Sequence, residues 1–328
     1  MPVPRETLER AIAQQLVLDE LPDSFNVLGD RYSGKVRENF TRDHERLIIV
    51  SDRVSAFDCV LGTIPFKGQV LNQLAAYWFE VTGDVFPNHV IDVPDAQVTR
   101  AVECEPIKVE MVVRGYLTGS SSTSIWRAYS RGDREFCGHR LADGMVRHQK
   151  LPENLVTPTT KADKGEHDQN ASKAELVEMG VIDADLFDQL EQQCLALFAL
   201  GQKLAAERGL ILVDAKYELG RRPGGEIVLI DEIHTPDSSR YWYAEGYEQA
   251  MAAGEDPRAL DKEFVRRWLV SQGFDGDGTP PALPAEVRIE AAQRYIETYE
   301  RMTGREFVPD LAPPIERLTS ALITPLRG

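Results

Sequence analysis

Between Gly209 and His234 apolar and polar residues alternate: Gly-Leu-Ile-Leu-Val-Asp214-Ala-Lys216-Tyr-Glu218-Leu-Gly, then Arg-Arg-Pro-Gly-Gly, then Glu226-Ile-Val-Leu-Ile-Asp231-Glu232-Ile-His234. Side chains on a strand alternate faces. The pattern therefore predicts a hairpin whose first strand has Asp214, Lys216 and Glu218 on one face. Ile211, Val213, Ala215, Tyr217 and Leu219 fall on the other, and a second strand returns with Asp231 and Glu232. Two oxygen ligands on neighbouring strands with a lysine beside them suit a magnesium–nucleotide site. A solvated face with an internal salt bridge fits the same pattern.

Helical spacing of Leu8, Ile12, Leu16 and Leu18 predicts a helix over 5–19, and Val70, Leu74, Tyr77 and Trp78 predict another over 69–83. A turn-rich stretch from Phe25 leads to a β-branched run at 46–52, which reads as a hairpin, and 86–113 reads as several strands. A helix is expected over 120–131, a loop over 143–173, and a long helix over 172–208 broken near Gly180. Three helices follow at 257–271, 284–302 and 312–321. Mixed β structure, then βα, then helices implies an α+β architecture.

Composition narrows the function. With 37 Lys and Arg against 53 Asp and Glu, the net charge is −16, which argues against nonspecific nucleic-acid or membrane-surface binding. Anionic small substrates remain possible wherever basic residues cluster. Cys59, Cys104, Cys137 and Cys194 have no metal spacing and read as reduced thiols of a cytoplasmic protein. No signal peptide and no apolar run long enough to span a membrane is visible.

Several segments carry candidate chemistry. Gly29-x4-Gly34-Lys35 resembles a phosphate loop, but Val36 follows where Ser or Thr is needed and the next segment reads as strand. A glycine hairpin covering phosphates, with Lys35 as counter-charge, remains, as does a plain surface turn. Ser51-Asp52-Arg53-Val-Ser55-Ala-Phe57-Asp58 follows a strand and reads equally as a polar-ligand loop or a helix cap. Arg114-Gly-Tyr-Leu-Thr-Gly-Ser120 reads as an anion site, with a guanidinium ahead of free N–H groups at a helix start. The loop Thr159–Ser172, with His167, reads as a segment closing over substrate. His234-Thr-Pro-Asp237-Ser-Ser239-Arg240 suits a phosphate close to Asp231.

Seven motifs, in matching order over roughly residues 25–310, resemble the phosphoribosylaminoimidazole-succinocarboxamide synthase (SAICAR synthetase) family. They are Gly34-Lys-Val-Arg37, Ser51–Asp58, Lys67-Gly-Gln-Val-Leu-Asn-Gln73, Val112–Ser120, Gly165-Glu-His-Asp168, Asp214-Ala-Lys-Tyr-Glu218 and Asp231–Arg240. The resemblance implies an ATP-grasp-like, two-lobed fold: a β-rich lobe over 1–109 covering the nucleotide, and a larger α+β lobe over 110–328. It implies an ATP-dependent ligase joining L-aspartate to the carboxylate of carboxyaminoimidazole ribotide (CAIR). ATP would contact Gly34, Lys35, Val36 and Lys216, with Glu110 and Val112 presenting backbone groups to adenine. Glu218 and Asp231 would hold Mg2+. Arg114, Ser120, Asp168, Asp214, Ser239 and Arg240 would bind substrate, and Lys35, Lys216 and Asp214 would serve catalysis. The Lys67–Gln73 and Asp163–Ser172 loops are candidates for L-aspartate, and the Gly115-Tyr-Leu-Thr loop suggests a monomer. Another ATP-dependent ligase or a small-molecule kinase on the same scaffold, or a non-catalytic nucleotide-binding module, is the alternative. The tail Pro309–Gly328 has no assigned role.

Overall fold

The computed structural model describes residues 3–57, 59–121, 123–161, 169–260, 263–276 and 278–327. Helix α1 (Arg5–Ala13) precedes β1 (Asp30–Ser33), β2 (Arg37–Arg42), β3 (Glu45–Val50), β4 (Arg53–Ala56) and β5 (Cys59–Thr63). Helix α2 (Lys67–Thr82), β6 (Val90–Asp95), β7 (Val98–Val102) and the long β8 (Glu105–Tyr116) complete the first third. Next come α3 (Ile125–Ser130), β9 (Glu135–Phe136), β10 (His139–Arg140), β11 (Lys150–Val156), β12 (Thr159–Thr160), α4 (Lys173–Glu178) and α5 (Ala184–Glu207). The remainder is β13 (Leu210–Arg221), β14 (Ile227–Ile230), β15 (Ser239–Tyr243), α6 (Tyr247–Ala253), α7 (Glu263–Ser271), α8 (Ala285–Thr303) and α9 (Pro314–Leu318).

Two antiparallel sheets organise these elements. The smaller has the order β1-β2-β3-β7-β6, and the larger β11-β8-β13-β14, with β12 beside β8 and β15 beside β13. Because β8 and β13 are both central, they bury one face against α5 and present the other to the cleft between the sheets. The expected α+β, two-lobed architecture is present.

Local departures have physical causes. The expected 172–208 helix divides where Gly180 takes φ 69°, and Ser172 and Glu175 form a reciprocal cap on α4. The first helix stops at Ala13, so Leu16 and Leu18 lie beyond it. The 120–131 helix shrinks to α3, started by the Ser124 side chain. The stretch expected as loop contains β11 and β12, which pair with β8. Helix α6, absent from the sequence reading, buries no residue and so has no strong apolar stripe.

The expected boundary after residue 109 falls inside β8. The main core draws on both sides of it, from Leu8, Leu74 and Trp78 to Phe198, Tyr217 and Tyr295. The tail also returns: Leu318, Leu322 and Ile323 join Phe25, Phe40, Ile49 and Val98 in a second core behind the smaller sheet. Arg317, buried, bonds Asp95 and Gln97, and Asp310 N–H donates to Gln69 Oε1 at 2.9 Å. The tail is thus a strap that backs the smaller sheet. Leu318 is fully buried, so Leu318→Ala is expected to destabilise the fold by about 2–5 kcal/mol. A urea unfolding midpoint lowered accordingly checks this; an unchanged midpoint would show that the strap adds nothing.

Candidate active site

Strand β13 carries an extra residue. Leu212 pairs with Tyr241 and Asp214 with Arg240, leaving Val213 as a bulge that shifts the side-chain phase by one. Leu210 and Leu212 on one side of it, and Ala215, Tyr217 and Leu219 on the other, all enter the main core. Ile211 and Val213 pack instead with Tyr116 and Trp242 beneath the cleft, on the face that bears Asp214, Lys216 and Glu218. The expectation that Ile211 and Val213 share a face with Ala215 and Tyr217 is therefore corrected. The charged stripe itself is as expected.

The register sets Glu218 opposite Glu110, Lys216 opposite Val112 and Asp214 opposite Arg114. Two acids directly across a ladder repel. Lys216 resolves this, its Nζ lying 2.7 Å from Glu110 Oε1 and 2.8 Å from Glu218 Oε1. Lys161 pairs with the other oxygen of Glu218. Burial raises the Glu218 carboxyl, but Lys216 and Lys161 outweigh it and hold the group below its usual range. Asp231 lies one residue beyond β14, at φ 67°, rather than on the strand as expected. Arg37 Nη1 is 2.8 Å from Asp231 Oδ2, and its Nη2 is 2.6 Å from Glu232. Burial, reinforced by Glu218 and Glu232, raises Asp231 above the usual carboxylate range despite Arg37.

A cavity of about 270 Å³ opens between the sheets. It is roofed by the β1–β2 turn with Gly34, Lys35, Val36 and Arg37, and floored by Lys161, Glu218 and Asp231. Apolar walls come from Ile48 and Val102 on the smaller sheet and Ile230 on the larger, and Cys104 and Pro106 form its inner edge. His89, 2 % exposed, lines the same cavity with Nε2 unbonded. Burial, with Arg46, Arg222 and Arg37 nearby, pushes its imidazole down to about 3, so the ring is neutral.

A second recess lies beyond Asp214. Arg240 pairs with Asp214, and Arg114 Nη1 is 3.9 Å from the same oxygen. Arg147 and Arg267 join Arg240 around Gly119 and Ser120. Gly119 sits at φ 110° against Ser124, a position only glycine fills without strain. Asp256 is 3.0 Å from Arg147 and 2.8 Å from His148 Nε2, while His148 Nδ1 meets Thr118 Oγ1 at 2.8 Å. Arg147, Arg240 and Arg267 outnumber the two acids of the lining, Asp256 and Glu263, so the recess is basic by one charge, which suits an anion.

The structure gathers Gly34, Lys35, Val36, Glu218 and Asp231 at the first recess, with Lys216 tied to it through Glu218, and Ser120 and Arg240 at the second, with Asp214 paired to Arg240 and Arg114 beside Asp214. Glu110 and Val112 do not reach the cavity as expected. The Glu110 carboxylate meets Lys216 and Thr159, and the Val112 carbonyl accepts from Thr157. Ser239 pairs with Ala215, so alternation sets it on the core face, away from Arg240. Lys67, Gly68 and Asn72 are buried in the first turns of α2, and Gln73 faces a separate groove with Tyr299, which removes that loop from the L-aspartate candidates. Asp168 and His167, with most of the Asp163–Ser172 loop, lie outside the described residues. His89, Arg147 and Arg267 were not assigned from sequence, and Lys161 only as part of the Thr159–Ser172 loop; His89 and Arg267 sit among apolar neighbours that give no sign of the cleft.

One strand thus joins a nucleotide-sized cavity to a basic pocket, as an enzyme requires when it activates one anionic substrate with another's phosphoryl group. Fold and site define a two-lobed ATP-dependent ligase of the ATP-grasp-like kind. Residues 30–281 match the sequence model of the family described as SAICAR synthetase. A phosphoribosylaminoimidazole-succinocarboxamide synthase of Bacteroides fragilis is 48% identical over 310 residues, 91% of this chain and 97% of the relative. A chloroplastic one of Arabidopsis thaliana is 44% identical over 329 residues, 98% of this chain and 79% of the relative. Among solved structures, the SAICAR synthase of Saccharomyces cerevisiae complexed with SAICAR aligns with a TM-score of 0.76 at 28% identity, over 89% of this chain and all of that one. The chain belongs to the SAICAR synthetase family and is an ATP-dependent ligase of purine biosynthesis.

The raised Asp231 carboxyl has a measurable consequence. It favours the folded chain fully below the unfolded carboxylate value of about 4, and this contribution is lost as pH rises through the folded value. The ligand-free protein is expected to lose melting temperature across that window, and Asp231→Asn to lose less. Identical pH profiles for the two would contradict the assignment.

Proposed function

We propose that this ligase joins L-aspartate to the carboxylate of CAIR, giving SAICAR, ADP and phosphate, with Mg2+ and ATP bound in the cavity between the sheets. The observation that carries this is the two-residue step along β13. Asp214 stands at the basic pocket, Lys216 midway and Glu218 at the cavity floor, roughly 14 Å from first to last.

The adenine base would lie between Ile48, Val102 and Ile230, with His89 Nε2 and the Cys104–Pro106 edge replacing the Glu110 and Val112 contacts first expected. Lys35, Lys161 and Lys216 would face the phosphates. Among the described residues no group of three or more His, Cys, Asp or Glu could hold a metal alone. Mg2+ needs less, binding through one or two carboxylates plus waters and substrate phosphates. Glu218 and Asp231 fit that role, and the ion would neutralise phosphoryl charge there. The ribotide phosphate would meet Arg240, Arg147 and Arg267 near Ser120, with Arg114 and Asp214 on its imidazole end. Asp168 is retained as a substrate residue on the resemblance alone.

A carboxylate is a poor electrophile. Phosphoryl transfer from ATP to the CAIR carboxylate would give an acyl phosphate and ADP. The aspartate amine then attacks the carbonyl carbon, phosphate leaves, and the nitrogen loses a proton. Lys216 and Lys161 neutralise charge on the transferring group, and Asp214 orients the acceptor. Closure of the smaller sheet over the site would exclude water from the acyl phosphate.

The reading extends to a monomer working in the cytoplasm. Its support is the Gly115-Tyr-Leu-Thr form of the ribotide loop and the four free thiols. The described residues include no helix long and apolar enough to cross a membrane.

A coupled assay with CAIR, ATP, Mg2+ and L-aspartate tests the chemistry. SAICAR absorbance and ADP are expected to rise in step, and both to vanish without aspartate. ADP release that persists without aspartate, on another acceptor, would make the protein a kinase. Glu218→Gln is expected to cost roughly a hundredfold in turnover.

A further inference from the structure

The segment from Asp231 to Arg240 carries a carboxylate of the cavity at one end and an arginine of the basic pocket at the other. It has little regular structure, with Asp231 and His234 both at positive φ. Its geometry must therefore be imposed by contacts. Some are local: Thr235 bonds Glu232, Ser238 and Ser239 N–H donate to the Thr235 carbonyl, and Tyr241 OH donates to the His234 carbonyl. One tie comes from far away. Lys67 Nζ lies 2.7 Å from Asp237 Oδ2, and Tyr295 OH donates to Asp237 Oδ1 at 2.7 Å.

Lys67 has no exposed surface, and Nζ stands 5.6 Å from the centre of the Tyr295 ring. Removing a lysine from water costs several kcal/mol unless its partner geometry is good, so an apolar residue would suit stability as well or better. A buried lysine here needs a reason beyond stability. Its backbone is also held firmly. Gly68 N–H donates to Asp52 Oδ1 at 2.8 Å, and a Cβ at Gly68 would collide with the Val50 carbonyl and the Gln97 side chain. The start of α2 is thus seated on the smaller sheet, and Lys67 extends from that seat to the active-site segment. Tyr295 adds a fixed point on α8.

We propose that Lys67 is a positioning residue for the ligase reaction, tying Asp237 to the smaller sheet and to α8 so that Arg240 stands correctly for the ribotide phosphate. It touches no substrate. The two oxygens of the Asp237 carboxylate receive one directional bond each, from α2 and from α8, which fixes its rotation as well as its place. This rests on the ribotide pocket proposed above.

The test uses the full-length enzyme and the variants Lys67→Met, Asp237→Asn, their combination, and Tyr295→Phe, each measured for melting temperature and for steady-state constants. Lys67→Met leaves Asp237 buried without its cation, so melting temperature is expected to fall and KM for CAIR to rise roughly tenfold, with KM for ATP little changed. The double variant removes both charges; it should regain melting temperature while KM for CAIR stays high. Tyr295→Phe should raise the same KM by a smaller factor. Should Lys67→Met fail to fold, the double variant and Tyr295→Phe carry the comparison. An unchanged KM for CAIR in the double variant, or one that recovers together with melting temperature, would show that Lys67 serves only to balance a buried charge. A wild-type enzyme that does not use CAIR would instead refute the substrate assignment.

Discussion

The extra residue at Val213 is the constraint on which the site depends. A strand in perfect alternation that buries Leu210 and Leu212 would also bury Asp214, Lys216 and Glu218. Three charged groups turned into a core of Phe198, Tyr217 and Tyr241 would cost more than the domain's whole net stability. The bulge lets one strand satisfy two demands. Its first half feeds leucines to the core, and its second half feeds ionised groups to the cleft while Ala215, Tyr217 and Leu219 take over the buried positions.

Once these charges face the cleft they must be balanced without ligand. Glu110 and Glu218 share Lys216, Glu218 also holds Lys161, and Asp231 and Glu232 share Arg37. Asp214 lies between Arg240 and Arg114 in the same way. The groups that would meet phosphates and metal are therefore already partnered with one another. Such pairing balances the charges and fixes their positions, so little rearrangement is left for the moment of binding.

How much of this is legible in the chain depends on whether the signal is local. The Asp214–Glu218 stripe and the break at Gly180 are written in consecutive residues, and the structure places them as read. The phase shift at Val213 is not: no glycine or polar residue marks it, and it follows from pairing with Tyr241 and Arg240. The Glu110 carboxylate is taken up by Lys216 and the Val112 carbonyl by Thr157, pairings that the neighbouring residues do not announce. Ser239 sits beside Arg240 in sequence and on the reverse face in the sheet. His89, Arg147 and Arg267 reach their recesses only through long-range packing, which one-dimensional periodicity does not encode. The tail is the largest case, since its apolar residues look unremarkable until the smaller sheet is seen to lack a backing.

That backing has a consequence for how the polypeptide is made. Phe40, Ile49 and Val98 emerge from the ribosome more than two hundred residues before Leu318, Leu322 and Ile323, which complete their core. At ordinary synthesis rates the smaller sheet waits on the order of 10–45 s for its other half. Throughout that interval its rear apolar surface is open to chaperones or to neighbouring nascent chains. The second core is thus closed by segments far apart in the chain, and a message cut short before residue 318 yields a chain with nearly every proposed site residue and no backing for the smaller sheet.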